Sequence, residues 1–264
     1  MYVYTCAREY DAMLTCIYVA WASGKGHENI RLELEPFGQY SLFDEYTHVD
    51  ADSEKAEKVM DAVNRKISPR FYSELAYTSM AYEEDILDNM YRMMLLGFTY
   101  GESALYRVNN NCVLRHQKIR KRLGTEICHF QEFTRFHEIE GKVYVAHIEP
   151  KSKLIAALGP IFEDRMPSEN WMIVDDVHNE AVIHPKNERF YIRILTEEEK
   201  ERLLNTERMS DEYTDMWKVF FDSIAIKERM NEKCQKNHFP LWTRKHVVEF
   251  TQNDDNKEYV VDNN

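Results

Sequence analysis

The chain has 264 residues, 44% of them hydrophobic and 12% aromatic, a globular mix that argues against disorder as its general state. Lys and Arg number 34 against 46 Asp and Glu, a formal charge of -12, so any contact with nucleic acid must come from a local basic face rather than from the average charge. The five cysteines (Cys6, Cys16, Cys112, Cys128, Cys234) are scattered without a C-x-x-C pair, which excludes a zinc ribbon or iron–sulfur cluster and points to reduced thiols in the cytoplasm.

In chain order, "MYVYTC" alternates like a short strand, with no signal peptide or membrane helix expected because Arg8, Glu9 and Asp11 interrupt the start. "YDAMLTCIYVAWAS" reads as an apolar helix, "GKGHEN" as a loop and "IRLELEP" as a second strand, while "QYSLFDEYTHVDAD" is irregular. Asp52 and Ser53 can cap the helix "EKAEKVMDAVNRKI", which stops before Ser68-Pro69. Two more helical stretches follow, the second with Ile86, Met90, Met93 and Gly97 on one side. Asn109 to Asn111 mark a break and supply caps for a long helix, whose buried face is set by Cys112, His116, Ile119, Leu123, Ile127 and Phe130.

The period then changes from helical to two. "FTRFHEI" and "KVYVAHI" flank a hairpin turn at Glu140-Gly141. "SKLIAALGPIFEDR" is a short helix, and "WMIVDD", "EAVIHP" and "RFYIRIL" are strands. "TEEEKERLLN" and "YTDMWKVFFDSIAI" return to helix, and the tail 251–264 is expected to be disordered. Strands joined by tight turns pair antiparallel, so the expected fold is α+β, helices packed on a mainly antiparallel sheet of short strands with a helical C-terminal segment. It is read as a single domain over 1–250, with a helical portion at 52–130 and a C-terminal helical unit at 197–250.

Three stretches carry residues suited to chemistry or recognition. In "HFQEFTRFHEIEGKVYVAHIEP", a turn at Glu140-Gly141 sets Arg135 and His137 on one face, and Glu138 on the other with Val143, Val145 and His147. His137 and His147 then point opposite ways and His137-Glu138 lacks the second histidine of H-E-x-x-H, so no metal site is expected. The bland alternative is a hairpin in which Arg135 pairs with Glu138 or Glu149. In "SALYRVNNNCVLRHQKIRKRLGT" six cations and no acid give a segment of +6. Arg115, Lys118 and Arg122 fall within about 60° of one another on its helical wheel, a stripe able to follow phosphates or to meet an acidic partner. In "ERMNEKCQKNHFPLW", Asn231, Gln235 and His238 are spaced for one helical face. Asp164-Arg165 and Asp175-Asp176 stand at element ends. Paired carboxylates at a strand end can hold Mg²⁺, and a solvated turn into His178-Asn179 explains them as well. Glycine-rich phosphate loops and serine or cysteine nucleophile motifs are missing, and no cofactor is expected.

"LFDEYTHVDADSEKAEKVMDAVNRKIS", "HFQEFTRFHEIEGKVYVAHIEP", "LGPIFEDRMPSENWMIVDD" and "MWKVFFDSIAIKERMNEKCQKNHFP" resemble, over about residues 1 to 250, a bacterial family described as probable DNA metabolism protein with a domain of unknown function. The matching positions include Phe133, Arg135, Glu138, Gly141, Tyr144, Trp171, Asp175, Asn231, Gln235 and His238. One departure is Thr243-Arg244, where the family pattern has an aromatic pair. The resemblance implies action beside a radical S-adenosylmethionine protein of DNA repair or modification, and it carries over no catalytic residue. The resulting expectation is a cytoplasmic accessory protein that contacts DNA through Arg115, Lys118 and Arg122, with Arg135, Asn231 and Gln235 as further contacts. Two rivals are kept: a glycosylase-like or nuclease-like hydrolase using Glu138, His137 or Asp164 as acid–base groups, and an interaction module with no DNA affinity of its own.

Overall fold

The structure is a computed structural model that describes residues 1–36, 38, 40–139, 143–207, 216 and 231–247. The helix expected at 213–226 (residue 216 apart), the turn residues 140–142 and the tail therefore lie outside the described residues. The chain divides into two compact units, Met1–Gly124 and Thr125–Asn264.

The first unit holds β1 (Tyr2–Cys6), α1 (Tyr10–Ala22), β2 (Ile30–Leu34), β3 (Glu45–His48), α2 (Ser53–Lys66), α3 (Pro69–Ser79), α4 (Ile86–Tyr100) and the start of α5 (Asn111–Phe133). Its strands run in the order β2-β1-β3, and both pairings are parallel. The parallel pairing here differs from the mainly antiparallel sheet expected of the fold, because a helix and not a tight turn joins β1 to β2. A helix between two paired strands returns the chain to its starting edge, so β1, α1 and β2 form a crossover unit. The central position of β1 also explains why Val3 to Cys6 are all buried instead of alternating.

Asp52 and Asn110 cap their helices as expected, and Ser68, expected to end α2, also caps α3. Asp52 accepts from the Lys55 amide at 3.1 Å, Ser68 from Phe71 at 3.0 Å, and Asn110 from Cys112 at 2.8 Å. Ile86, Met90, Met93 and Gly97 face the core of this unit, as their spacing implies. A Cβ at Gly97 would stand 2.7 Å from both Ile67 Cδ1 and Phe71 Cζ, so a bare backbone is needed for that approach.

The second unit carries β4 (His137–Ile139), β5 (Val143–Ile148), α6 (Ile155–Arg165), β6 (Trp171–Asp175), β7 (Glu180–His184), β8 (Tyr191–Ile194), α7 (Glu197–Glu207) and α8 (Glu232–His238). The five strands follow sequence order and pair antiparallel except β5 with β6, which α6 links in parallel. The α+β class is borne out, with this sheet mostly antiparallel and the first sheet parallel. Trp171, 1% exposed, anchors the core under β6. Its ring stacks on His184 at 4.9 Å and meets Phe162 edge-on at 6.1 Å. Its indole N–H donates to the Met166 carbonyl at 3.2 Å.

The hairpin register differs from the expected one in a way that matters for function. His137 lies opposite Val145 and Ile139 opposite Val143, leaving three residues in the connection. A two-residue turn would have shifted the pairing by one and moved His137 to the other face. His137, Val145 and His147 therefore share a face, and the rings of His137 and His147 lie parallel with centroids 6.3 Å apart. Among the described residues, no helix is long and apolar enough to cross a membrane.

Candidate functional site

The second unit gathers five ionisable side chains at one end of its parallel strand pair. In the β5–β6 ladder Ile148 lies opposite Asp175, so the next residues, Glu149 and Asp176, leave the two strands side by side. The Asp176 amide donates to the Ile148 carbonyl at 3.0 Å and continues the ladder one step. Two carboxylates in adjacent register repel each other and require a cation or a shared proton. The chain after the 3-10 turn Leu241–Thr243 supplies two basic groups. Lys245 pairs with Glu149, and His246 Nε2 lies 3.6 Å from Glu149 Oε1 and 3.9 Å from Asp176 Oδ2. His147, its side chain 0% exposed, places Nδ1 3.0 Å from Asp176 Oδ2. One donor atom each from Glu149, Asp176 and His246 lie within 4.8 Å of one another, close enough for a single metal ion to draw them together.

Neighbouring polar groups hold this end of the sheet. Asp175, fully buried, accepts from the amides of Val177 and His178 at 3.0 Å each and meets His178 Nδ1 at 2.7 Å. Of the Asp175-Asp176 pair, the first closes the turn and the second faces the cluster. Glu126 on α5, 6% exposed, ties down the segment after Glu149. Its carboxylate accepts from the amides of Lys151 and Ser152 at 2.7 and 3.2 Å and from the Ser152 hydroxyl at 2.6 Å. Glu126 and His246 carried no signal at the level of sequence. Both become visible only once β5 and β6 are set in parallel.

The basic stripe of α5 lies in the first unit and is largely matched by acids of that unit. Arg115 forms a two-pronged pair with Asp85 at 2.7 and 2.6 Å. That bond holds the Asp85 carboxyl below its ordinary range and raises the Arg115 guanidinium. Arg122 lies 3.6 Å from Glu83, whose side chain is only 5% exposed, so it serves as the cation for a buried carboxylate. Arg120, outside the stripe, pairs with Glu74 at 2.7 Å. Lys118 is exposed and has no ion pair among the described residues, and Lys121 is exposed beside it.

The remaining candidates occupy separate places. Glu138 is exposed and alternates with His137 along β4, so the two face opposite sides of the strand. Asp164 is exposed near the end of α6. Arg135 donates to the carbonyls of Glu132 and Thr134 at 3.0 and 3.4 Å and caps the end of α5. Glu149, one of the partners foreseen for Arg135, pairs instead with Lys245. Asn231 is the N-cap of α8, accepting from the Cys234 amide at 3.0 Å, so it precedes the helix instead of lining its face. Gln235 is exposed on α8. Where the family pattern has an aromatic pair, Thr243 donates to the Pro240 carbonyl at 2.7 Å. Arg244 donates to Phe239 O at 2.7 Å, so this pair shapes a turn.

Residues 84–249 match the family described as a domain of unknown function, DUF4130. That is more than half of the chain, which therefore belongs to this family. The matched region contains α4, α5 and the whole Glu149–Asp176–His246 cluster, whereas β1 to α3 lie outside it. No curated protein matches the chain.

Proposed function

We propose that this protein is an accessory of DNA repair or modification that contacts nucleic acid phosphates through the outer side of α5 and works beside a radical S-adenosylmethionine protein. The observation that carries the reading is the acid-free run from Ser103 to Thr125, which keeps Lys118, Arg120, Lys121 and Arg122 exposed in a chain of net charge -12. Lys118 and Lys121 are the primary contacts. Arg122 and Arg120 can exchange an exposed edge of their carboxylate pairs for phosphate, while Arg115 belongs to the framework. The partner follows from the resemblance of the sequence blocks, which also gives the DNA context.

Fluorescence anisotropy with labelled single-stranded and duplex DNA over a salt series tests it. Binding to duplex should weaken with a log–log slope of roughly -0.9 per phosphate contact. Lys118→Glu with Lys121→Glu should abolish it in a folded protein. No binding at low salt would sink the DNA reading and leave α5 as a docking face, seen as a salt-sensitive complex with a protein partner. Arg115→Glu is the wrong probe, because it sets a carboxylate against Asp85. Both members of that pair are partly exposed, so the substitution should cost about 1–2 kcal/mol of stability in urea denaturation. DNA affinity of the protein that remains folded should change little.

A further inference from the structure

We infer that Glu149, Asp176 and His246 bind a divalent transition-metal ion. Their donor atoms are near coordination spacing: His246 Nε2 is 3.6 Å from Glu149 Oε1 and 3.9 Å from Asp176 Oδ2. A tetrahedral centre wants its donors about 3.3 Å apart, so the two distances to His246 have to shorten by only a few tenths of an ångström, and the carboxylate donors already lie within 4.8 Å of each other.

A second, independent observation points to a ligand. The Asp176 side chain is 6% exposed, and its Oδ1 is buried without a hydrogen-bond partner. A desolvated carboxylate oxygen in that state is costly unless something electropositive meets it. Oδ2 of the same group is already engaged by His147 Nδ1, at 3.0 Å. Oδ2, the oxygen that lies 3.9 Å from His246 Nε2, is thus held by an outer histidine, and the same carboxylate carries a buried, unpartnered Oδ1 whose charge an ion bound to it would offset. This is the arrangement by which outer groups orient metal-binding carboxylates.

Charge agrees with geometry. Glu149 and Asp176 bring two negative charges, and Lys245, 63% exposed, returns one. With neutral histidines the cluster retains a net negative charge that a divalent ion reverses, and Lys245 can withdraw into solvent. One imidazole with two carboxylates suits Zn²⁺, Mn²⁺ or Fe²⁺ better than Ca²⁺ or Mg²⁺, which prefer oxygen alone. Three protein ligands leave a position for water, the pattern of reactive rather than purely structural sites. The carboxyl ends of parallel strands are also where α/β sheets commonly seat their ligands. This inference does not depend on DNA binding by α5.

The test is isothermal titration of the chelator-treated full chain with ZnCl₂ and with MnCl₂, together with the visible absorption of a Co²⁺ complex and thermal unfolding with and without metal. One ion per chain, with a rise in Tm, is expected. Asp176→Asn and His246→Gln keep side-chain shape and should each abolish or weaken binding by more than about tenfold, and His147→Gln by roughly tenfold or more through misorientation of Asp176. The ligand set would be overturned if the wild-type chain bound no ion, or if affinity were unchanged in folded Asp176→Asn and His246→Gln. Should one variant fail to fold, the other and the wild-type stoichiometry still decide the question.

Discussion

Replacing Glu126 by leucine should destabilise the second unit by about 3–5 kcal/mol, the largest effect expected of a single side chain at the cluster. The carboxylate is 6% exposed and satisfies three donors, the amides of Lys151 and Ser152 and the Ser152 hydroxyl. Leucine fills comparable space but leaves these donors unpaired, at about 1–3 kcal/mol for each that stays buried. Part of the loss is offset because leucine carries no charge to desolvate. Glutamine keeps the oxygen that serves both amides and offers an amide N–H to the serine oxygen, so Glu126→Gln should cost only about 1 kcal/mol. Hydrogen exchange reads the difference locally: the Lys151 and Ser152 amides should be protected in the wild type, nearly so in Glu126→Gln, and exchange freely in Glu126→Leu. These residues follow Glu149, so the leucine variant should also weaken the ion proposed there. Unchanged protection in the leucine variant would show that Glu126 does not hold this segment.

The features legible in the sequence are those decided by neighbours along the chain. The capping residues Asp52 and Asn110, the helical period that buries His116, Ile119 and Leu123, and the short apolar runs of β6 and β7 all rest on contacts within a few positions, and all appear in the structure. Register and partnering across distance were not legible. The hairpin connection is one residue longer than the turn chemistry of Glu140-Gly141 suggests, and with a side-chain period of two that one residue carries His137 to the face of His147. β3 went unread because only Tyr46 of its four residues is even partly buried, so no apolar pattern marks it. Glu149 and Asp176 were each noticed, yet their adjacency depends on β5 and β6 being parallel. The acid opposite Arg115 is likewise 30 positions away along the chain.

In the first unit, acid should erode stability through His116. The ring is 2% exposed, with Nδ1 3.3 Å from Asn89 Oδ1 and Nε2 buried without a hydrogen-bond partner. Asn89 is itself oriented by its donation to the Cys112 carbonyl at 3.0 Å, so Nδ1 carries the proton and Nε2 is a bare acceptor. Protonating Nε2 would place a charged, unpaired N–H in the core. Burial therefore lowers the His116 pKa to about 4, while the nearby charges of Glu74 and Arg120 act in opposite directions. The unfolded chain binds this proton below about pH 6.5 and the folded chain only below about pH 4. Between those values the unfolded state holds more protons, so stability must fall as pH falls, by up to about 1.4 kcal/mol per pH unit and on the order of 3 kcal/mol in all. The loss begins near neutrality and levels off once the folded ring also titrates. His116→Gln keeps a donor for Asn89 and cannot titrate, so the difference in unfolding free energy between wild type and variant should shrink by that amount from pH 7 to pH 4. Parallel pH curves for the two proteins, or an NMR titration of His116 near pH 6.5, would show that the ring is charged or solvated in the folded chain.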